Sequence, residues 1–227
     1  MSLRNLQYLF SPKSVVLIGA SDRPHSVGAT VLANLIGGRD IDELREQLML
    51  VNPRLQTLMG LPVYPDVASL PRVPDMAVIA TPAATVPALI EALVARGARA
   101  AIVLTAGMDG DNGDGRSYRQ AMLDAARPTV FRILGPNCVG TLVPAAHLNA
   151  SFAHTAALPG NIAFVSQSGA LVTAVLDWAH ARGIGFSHFV SLGDASDIDF
   201  GDMLDYLATD PQTSAILLYI EDVRNAR

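Results

Sequence analysis

The residues best suited to chemistry in this chain sit directly after short apolar runs. Gly19-Ala20-Ser21-Asp22-Arg23-Pro24-His25-Ser26-Val27-Gly28 follows the run Ser14–Ile18 and leads into an apolar-striped segment. A glycine at the end of a buried strand allows a sharp turn, and small residues at a helix start leave free N–H groups for an anion. Gly19 and Gly28 stand too far apart for the G-x-G-x-x-G fingerprint. The loop is therefore compatible with phosphate binding and also with a plain strand-to-helix turn. A second run ends in Asn52-Pro53-Arg54, where an NAD site would carry an acidic residue for the ribose diol. The guanidinium fork of Arg54 instead matches phosphate oxygens. A phosphorylated ribose, as in NADP or coenzyme A, fits that position, and so does a solvated surface arginine. Thr81-Pro82-Ala83 and Thr105-Ala106-Gly107 close two further runs with small side chains that leave room for a ligand. Ordinary turns would read the same, with Thr81 as a helix cap. Ser166-Gln167-Ser168-Gly169-Ala170 also follows a run and opens a helix, so its N–H groups and dipole favour a phosphate, while Ser168 can cap the helix.

The elements that must position these loops alternate along the chain. Residues 14–18, 47–51, 76–80, 100–105 and 130–134 read as buried strands, with helices expected over 27–36, 85–96 and 117–126. Gly107 to Gly115 holds four glycines and three aspartates and reads as a loop. Strand and helix in alternation predict a parallel sheet covered on both faces, with ligands at the carboxyl ends of the strands. Periodicity lapses between Pro144 and Gly160, then restarts with strands over 162–165, 186–192 and 214–220 and helices over 169–181 and 200–208. The last strand has no following helix, which would leave apolar surface bare, so the chain is expected to be a piece of a longer protein.

Bulk properties narrow the functional classes. Of 227 residues, 50% are hydrophobic and 16% charged, and the net charge of -5 comes without a long basic run. A nucleic-acid partner is not expected. Nor is a membrane span, since no apolar stretch nears the roughly 20 residues required. One cysteine, Cys138, precludes an internal disulfide framework. It has no histidine beside it and is expected to be a packed small residue rather than a nucleophile. No metal-ligand set is expected, and the chain reads as cytoplasmic.

Four separated motifs then carry a family likeness. Lys13-Ser14-Val15-Val16-Leu17-Ile18-Gly19-Ala20-Ser21, Val51-Asn52-Pro53, Gly135-Pro136-Asn137-Cys138-Val139-Gly140 and Val165-Ser166-Gln167-Ser168-Gly169-Ala170 resemble the NDP-forming acyl-CoA synthetases. That superfamily includes the succinyl-CoA synthetase α subunit and the ADP-forming acetyl-CoA synthetases. The resemblance covers nearly the whole chain and implies an α/β fold. A Rossmann-type CoA-binding domain would occupy 1–144, followed at 145–227 by the first part of a succinyl-CoA synthetase-like, flavodoxin-fold domain.

By the same resemblance, Gly19, Ser21, Asp22 and Gly28 would cradle the phosphates of coenzyme A or acetyl-CoA. Asn52 and Arg54 would lie near the adenosine, where many relatives carry lysine in place of Arg54. Thr81 and Pro82 would flank the nucleotide, Ala106 and Gly107 the pantetheine arm, and Asn137 and Cys138 the thiol end. The family mechanism runs through a phosphorylated histidine, received here by Ser166, Ser168 and Gly169, with Glu221 as the carboxylate that orients it. None of the five histidines matches that residue. It is expected after Arg227, together with the ATP-grasp domain that would supply ATP/ADP and Mg, so this chain would bind CoA without turning over. The full-length protein would be a homo-oligomer. A finer likeness, in Ser191–Asp199 and Ser214–Glu221, points to the Pat-type lysine acetyltransferases. There a fused GNAT domain would make this region an acyl-CoA sensor. An NADP-dependent reductase ranks behind both, for want of the glycine fingerprint and a proton donor.

Overall fold

The structure, a computed structural model, describes residues 3–222; positions 1–2 and 223–227 of the two expected domains lie outside them. Twelve strands and seven helices follow in order: α1 (Gln7–Phe10), β1 (Val15–Ile18), α2 (Val27–Ile36), α3 (Ile41–Leu44), β2 (Leu48–Val51), β3 (Thr57–Leu58), β4 (Leu61–Tyr64), β5 (Met76–Ile79), α4 (Val86–Arg96), β6 (Ala100–Val103), α5 (Tyr118–Ala126), β7 (Arg132–Leu134), β8 (Gly140–Val143), β9 (Leu148–Ser151), β10 (Leu158–Ser166), α6 (Gly169–His180), β11 (Gly185–Ser191), α7 (Phe200–Leu207) and β12 (Ala215–Tyr219).

Seven strands form a first sheet in the order β3-β4-β2-β1-β5-β6-β7, parallel except for the β3–β4 hairpin. The expected strands lie within it, because each is apolar on both faces and needs cover on both. On one face Val16, Ile18, Met49, Val51, Ala77, Ile79, Ala101 and Val103 pack under Val86, Ile90 and Leu93 of α4 and Met122 of α5. On the other, Leu17, Leu50, Val78 and Ile102 meet Leu9 and Phe10 of α1 and Val31, Leu32 and Leu35 of α2. The order reverses at β1, which pairs β2 on one side and β5 on the other. A crevice opens at such a point.

The second sheet, β12-β10-β11-β8-β9, departs from the expected three parallel strands. β12, β10 and β11 are parallel, but β8 and β9 add an antiparallel hairpin beside β11. Both strands are short, and Leu148-Asn149-Ala150-Ser151 lacks the apolar run that announces a strand. β8 begins four residues before Pro144, so a strand of the second sheet precedes the stretch where periodicity lapses. The sheets also share one core, in which Ala150, Val165, Val190 and Leu192 join Leu17, Val31 and Leu32. On β12, Leu217, Leu218 and Tyr219 are exposed. Among the described residues, no helix is long and apolar enough to cross a membrane.

Ionic groups lock the seam between the sheets. Arg132 on β7 reaches Asp197 at 3.1 Å and Asp202 on α7 at 2.7 Å, with Arg132 and Asp202 both buried. Burial works against the charge on Arg132, but Asp197 and then Asp202 outweigh it and raise its pKa. Removing Arg132 would strand the buried Asp202 and the half-buried Asp197. Arg132→Ala is expected to cost about 3–5 kcal/mol in denaturant unfolding, whereas loss of an exposed ion pair such as Arg45–Asp42 should cost under about 1 kcal/mol.

His188 on β11 is buried against the rings of Phe10 and Tyr206, its Nδ1 without a hydrogen bond and 3.5 Å from Asp210. Burial lowers its pKa, and Asp210 opposes that only in part. With the folded pKa below the unfolded value of about 6.5, the unfolded chain takes up the extra proton as pH falls through that value. This contribution to stability is therefore present above about pH 6.5 and lost below it. Denaturant midpoints at pH 7.5 and 5.5 should show that loss, and His188→Phe should reduce it.

Candidate functional site

The carboxyl ends of the first sheet open into a cleft of about 860 Å³ lined by Gly19, Ser21, Asp22, Arg23, Ser26, Gly28, Asn52, Arg54, Thr81 and Pro82, among others. Gly19 and Gly28 are there for a steric reason. Gly19 has φ +93°, and a Cβ on Gly28 would stand 2.0 Å from the Gly19 carbonyl oxygen. The start of α2 therefore crosses the end of β1 closer than any side chain allows. Ser26 caps α2 by accepting from the Ala29 N–H at 3.3 Å, and Val27 and Gly28 of its first turn line the cleft. Ser21 Oγ accepts from the Arg23 N–H at 3.1 Å. Asn52 ties the two loops together: its Nδ2 donates to the Ala20 carbonyl at 2.7 Å and its Oδ1 accepts from the Arg54 N–H at 2.8 Å. The Arg54 guanidinium is exposed on the cleft wall and forms no ion pair among the described residues. Arg23 is a second such cation on the wall, missed in the sequence although it lies beside Asp22. Thr81 is not the cap of α4, because a 3₁₀ turn at Ala83–Thr85 intervenes; its hydroxyl accepts from Thr85 Oγ1 at 2.8 Å.

A second lobe of about 660 Å³ shares Val27, Ala80 and Thr81 with the first, and is lined further by Ala106, Asn137, Cys138, Phe152, Gln167, Ser168, Gly169 and Glu221. It lies where the carboxyl ends of both sheets meet. Asn137, held at φ +58°, donates to Asp194 Oδ1 at 3.1 Å, and Asp194 is also bound by Arg119 at 2.8 Å. Ser168 caps α6 through the Leu171 N–H at 3.4 Å. Ser166 is fully buried behind it, its Oγ accepting from the Ser168 N–H at 3.1 Å, and does not line the lobe. Gly107 likewise stands exposed outside both lobes. Glu221 differs from a buried strand-end carboxylate. It lies past β12 and is exposed, since that strand is an edge with no cover among the described residues. Its backbone N–H is held by Gln167 Oε1 at 2.7 Å, which also accepts from the Asp222 N–H at 3.0 Å. That clamp was not legible in the sequence, because it joins residues brought together only by the β10–β12 pairing.

Cys138 borders the lobe but is buried, its thiol 3.5 Å from the Val103 carbonyl. Burial pushes its pKa up to about 12, so at neutral pH it is a thiol and a poor nucleophile.

A reversed parallel sheet with a cleft at its switch point is a nucleotide-binding α/β architecture of the Rossmann type. Residues 13–144 match the CoA binding domain and residues 159–227 match the succinyl-CoA ligase like flavodoxin domain. The chain belongs to the CoA-binding domain family. It is 37% identical to the α subunit of acetate–CoA ligase [ADP-forming] I of Pyrococcus furiosus, over 98% of this chain and 48% of that one. It is 36% identical to acetate–CoA ligase [ADP-forming] I of Archaeoglobus fulgidus, over 98% of this chain and 32% of that one. The dinucleotide forming acetyl-coenzyme A synthetase 1 of Ca. Korarchaeum cryptofilum, solved with phosphate and ADP, superposes with a TM-score of 0.87 at 35% identity, covering 96% of this chain and 46% of that one. The chain thus spans at most about half the length of these relatives. The expected fold class and family are borne out. None of the three is named as an acetyltransferase, and the GNAT-fused branch gains no support from them.

The thiol assignment is checked by its reactivity. Native protein at pH 8 is expected to leave Cys138 unmodified by a disulfide reagent over minutes, with one equivalent reacting on unfolding. Rapid modification of the folded chain would show the thiol to be accessible and ionised.

Proposed function

We propose that this chain is the CoA-binding N-terminal region of an ADP-forming acyl-CoA ligase. The observation that carries this reading is the two-lobed cleft. Arg23 and Arg54, which form no ion pair among the described residues, line one lobe with Asp22 and Asp66, Cys138, Ser168 and Glu221 line the other, and Val27, Ala80 and Thr81 belong to both. Each lobe falls within the roughly 300–1,000 Å³ typical of a ligand site. An elongated ligand with a phosphorylated ribose at one end and a thiol at the other suits that layout, and the glycine-lined crossing of β1 and α2 leaves room for a pyrophosphate.

In this reading Arg54 takes the ribose phosphate, with Asn52 fixing its backbone. Gly19, Ser21, Asp22 and Gly28 border the diphosphate, where the first-turn N–H groups of α2 supply donors and positive potential. Thr81 and Pro82 flank the nucleotide, Ala106 the pantetheine arm, and Asn137 and Cys138 the thiol. Ser168 and Gly169 at the start of α6 receive the phosphoryl group, with Ser166 supporting Ser168. Glu221 orients a phosphohistidine that residues outside this chain would supply. The relatives' names, ADP-forming ligases and an α subunit among them, support assembly with a further subunit; in this reading that partner is an ATP-grasp domain holding ATP/ADP and Mg.

Calorimetric titration with CoA, acetyl-CoA and NADP tests the reading directly. CoA and acetyl-CoA should bind and NADP should not; binding of NADP alone would overturn the assignment. Arg54→Ala should weaken CoA by about 1.5–3 kcal/mol and leave 3′-dephospho-CoA nearly unchanged. Equal weakening of both ligands would remove Arg54 from the ribose phosphate.

A further inference from the structure

Asn137 lines the far lobe, yet its side chain is not left to solvent. Its Nδ2 donates to Asp194 Oδ1 at 3.1 Å, and Asp194 Oδ2 accepts from Arg119 of α5 at 2.8 Å. Arg119 and Asp194 keep only 18% and 22% of their side-chain surface exposed, so water screens this pair less than an open surface pair. Backbone bonds hold the same junction. The Asp194 N–H donates to the Pro136 carbonyl at 2.9 Å, and the Asn137 N–H to the Thr105 carbonyl at 3.0 Å. Asn137 and Ala195 both sit at positive φ, +58° and +45°. A non-glycine residue stays there only when its surroundings hold it, and such strain collects at ligand sites. Across the lobe stand Leu104, Val139 and Phe152. Asn34 of α2 holds the loop that carries Phe152, donating to the Ser151 and Ala153 carbonyls, both at 2.8 Å.

The two ends of a carboxamide are alike in shape and opposite in chemistry. An ionised carboxylate only accepts, so the NH2 end of Asn137 must face Asp194, and turning the amide over would set Oδ1 against a carboxylate. Asp194 does not line the lobe, so Oδ1 is the end that remains for it, without a partner among the described residues. From this geometry we infer that Arg119 and Asp194 are positioning residues that fix Asn137 as the hydrogen-bond acceptor for the amide N–H nearest the thiol of coenzyme A. The inference rests on the CoA reading given above. Donation to the carboxylate polarises the Asn137 amide and strengthens Oδ1 as an acceptor. The pantetheine arm needs such a group here. The facing wall is apolar, and a donor brought against it unpaired is costly. Two of the lobe's other polar side chains are already engaged, Ser168 by the Leu171 N–H and Gln167 by the N–H groups of Glu221 and Asp222.

The test is titration of the 227-residue chain with CoA, with adenosine 3′,5′-bisphosphate, and with a CoA analogue carrying an ester oxygen in place of that N–H. The wild type should bind CoA about tenfold or more tighter than the ester analogue, because the analogue sets a lone pair against Oδ1 where CoA donates. Asn137→Ala should remove that preference. Asp194→Asn discriminates further, being isosteric. Arg119 holds the new side chain's oxygen, its NH2 then faces Asn137, and Asn137 turns over to present N–H to the lobe. The preference for CoA should vanish, although residue 194 lies outside the lobe. Asp194→Glu, which keeps an acceptor-only group, should keep the preference. Asp194→Ala added to Asn137→Ala should change the ratio no further. Affinity for adenosine bisphosphate should stay constant throughout, as the measure of an intact fold and first lobe. If Asp194→Asn leaves the ratio at its wild-type value, or weakens CoA and the analogue by one factor, the positioning role is refuted and the CoA site stands. If the wild type does not distinguish CoA from the analogue, the Asn137 contact itself is refuted. If the wild type binds neither adenosine bisphosphate nor CoA, the CoA reading fails and this inference falls with it.

Discussion

Arg132 stands on the edge strand of one sheet, while its two carboxylates, Asp197 and Asp202, belong to the segment that follows the second sheet's β11. None of the three is comfortable alone. A guanidinium or a carboxylate taken out of water without a partner costs several kcal/mol, so the groups are buried together or not at all. That condition fixes how the sheets meet. Around it, Asp197 also accepts from the Ile133 N–H at 2.7 Å, and Asp194 and Ser196 donate from their backbones to the Pro136 and Gly135 carbonyls at 2.9 and 3.1 Å. The loops after β7 and β11 are thereby held edge to edge, and Asn137 and Cys138 of the first of them line the far lobe of the cleft.

The two lobes are built on different physical terms. The first is a local product of strand ends and helix starts. Its shape follows from Gly28 approaching Gly19 without a side chain, and its wall carries Arg23 and Arg54 alongside Asp22 and Asp66. The second is a tertiary product. Its walls come from α2, the loop after β9, the start of α6 and the residues past β12, and Asn34 and Gln167 hold distant backbone in place by side-chain hydrogen bonds.

Much of this was legible from residue types and order. Apolar runs of four or five residues determined that the strands be buried on both faces, and their alternation with amphipathic segments determined a parallel sheet with its cleft at the carboxyl ends. The glycines at 19 and 28 and the start of the helix at Gly169 declared themselves locally, because a sharp turn and a helix N-terminus each leave a mark within a few residues. Cys138 followed the same logic: an isolated thiol in an apolar context is buried.

What only the tertiary structure decided has a common cause, which is that the deciding contact spans a long stretch of chain. The β8–β9 hairpin is too short and too polar in β9 to announce itself, and it is stable because β11 and α2 lie beside it. Ser166 and Gly107, one buried behind Ser168 and one outside both lobes, share their neighbours' small size but not their position. Thr81 lost its place as a helix cap to an unforeseen 3₁₀ turn. Phe152, Arg23 and Gln167 read as ordinary residues in sequence and became part of a site only when folding set them against it. Sequence records what a residue can do within its own turn or strand. The partners that make it do so are chosen by packing and by the requirement that buried charge be paired.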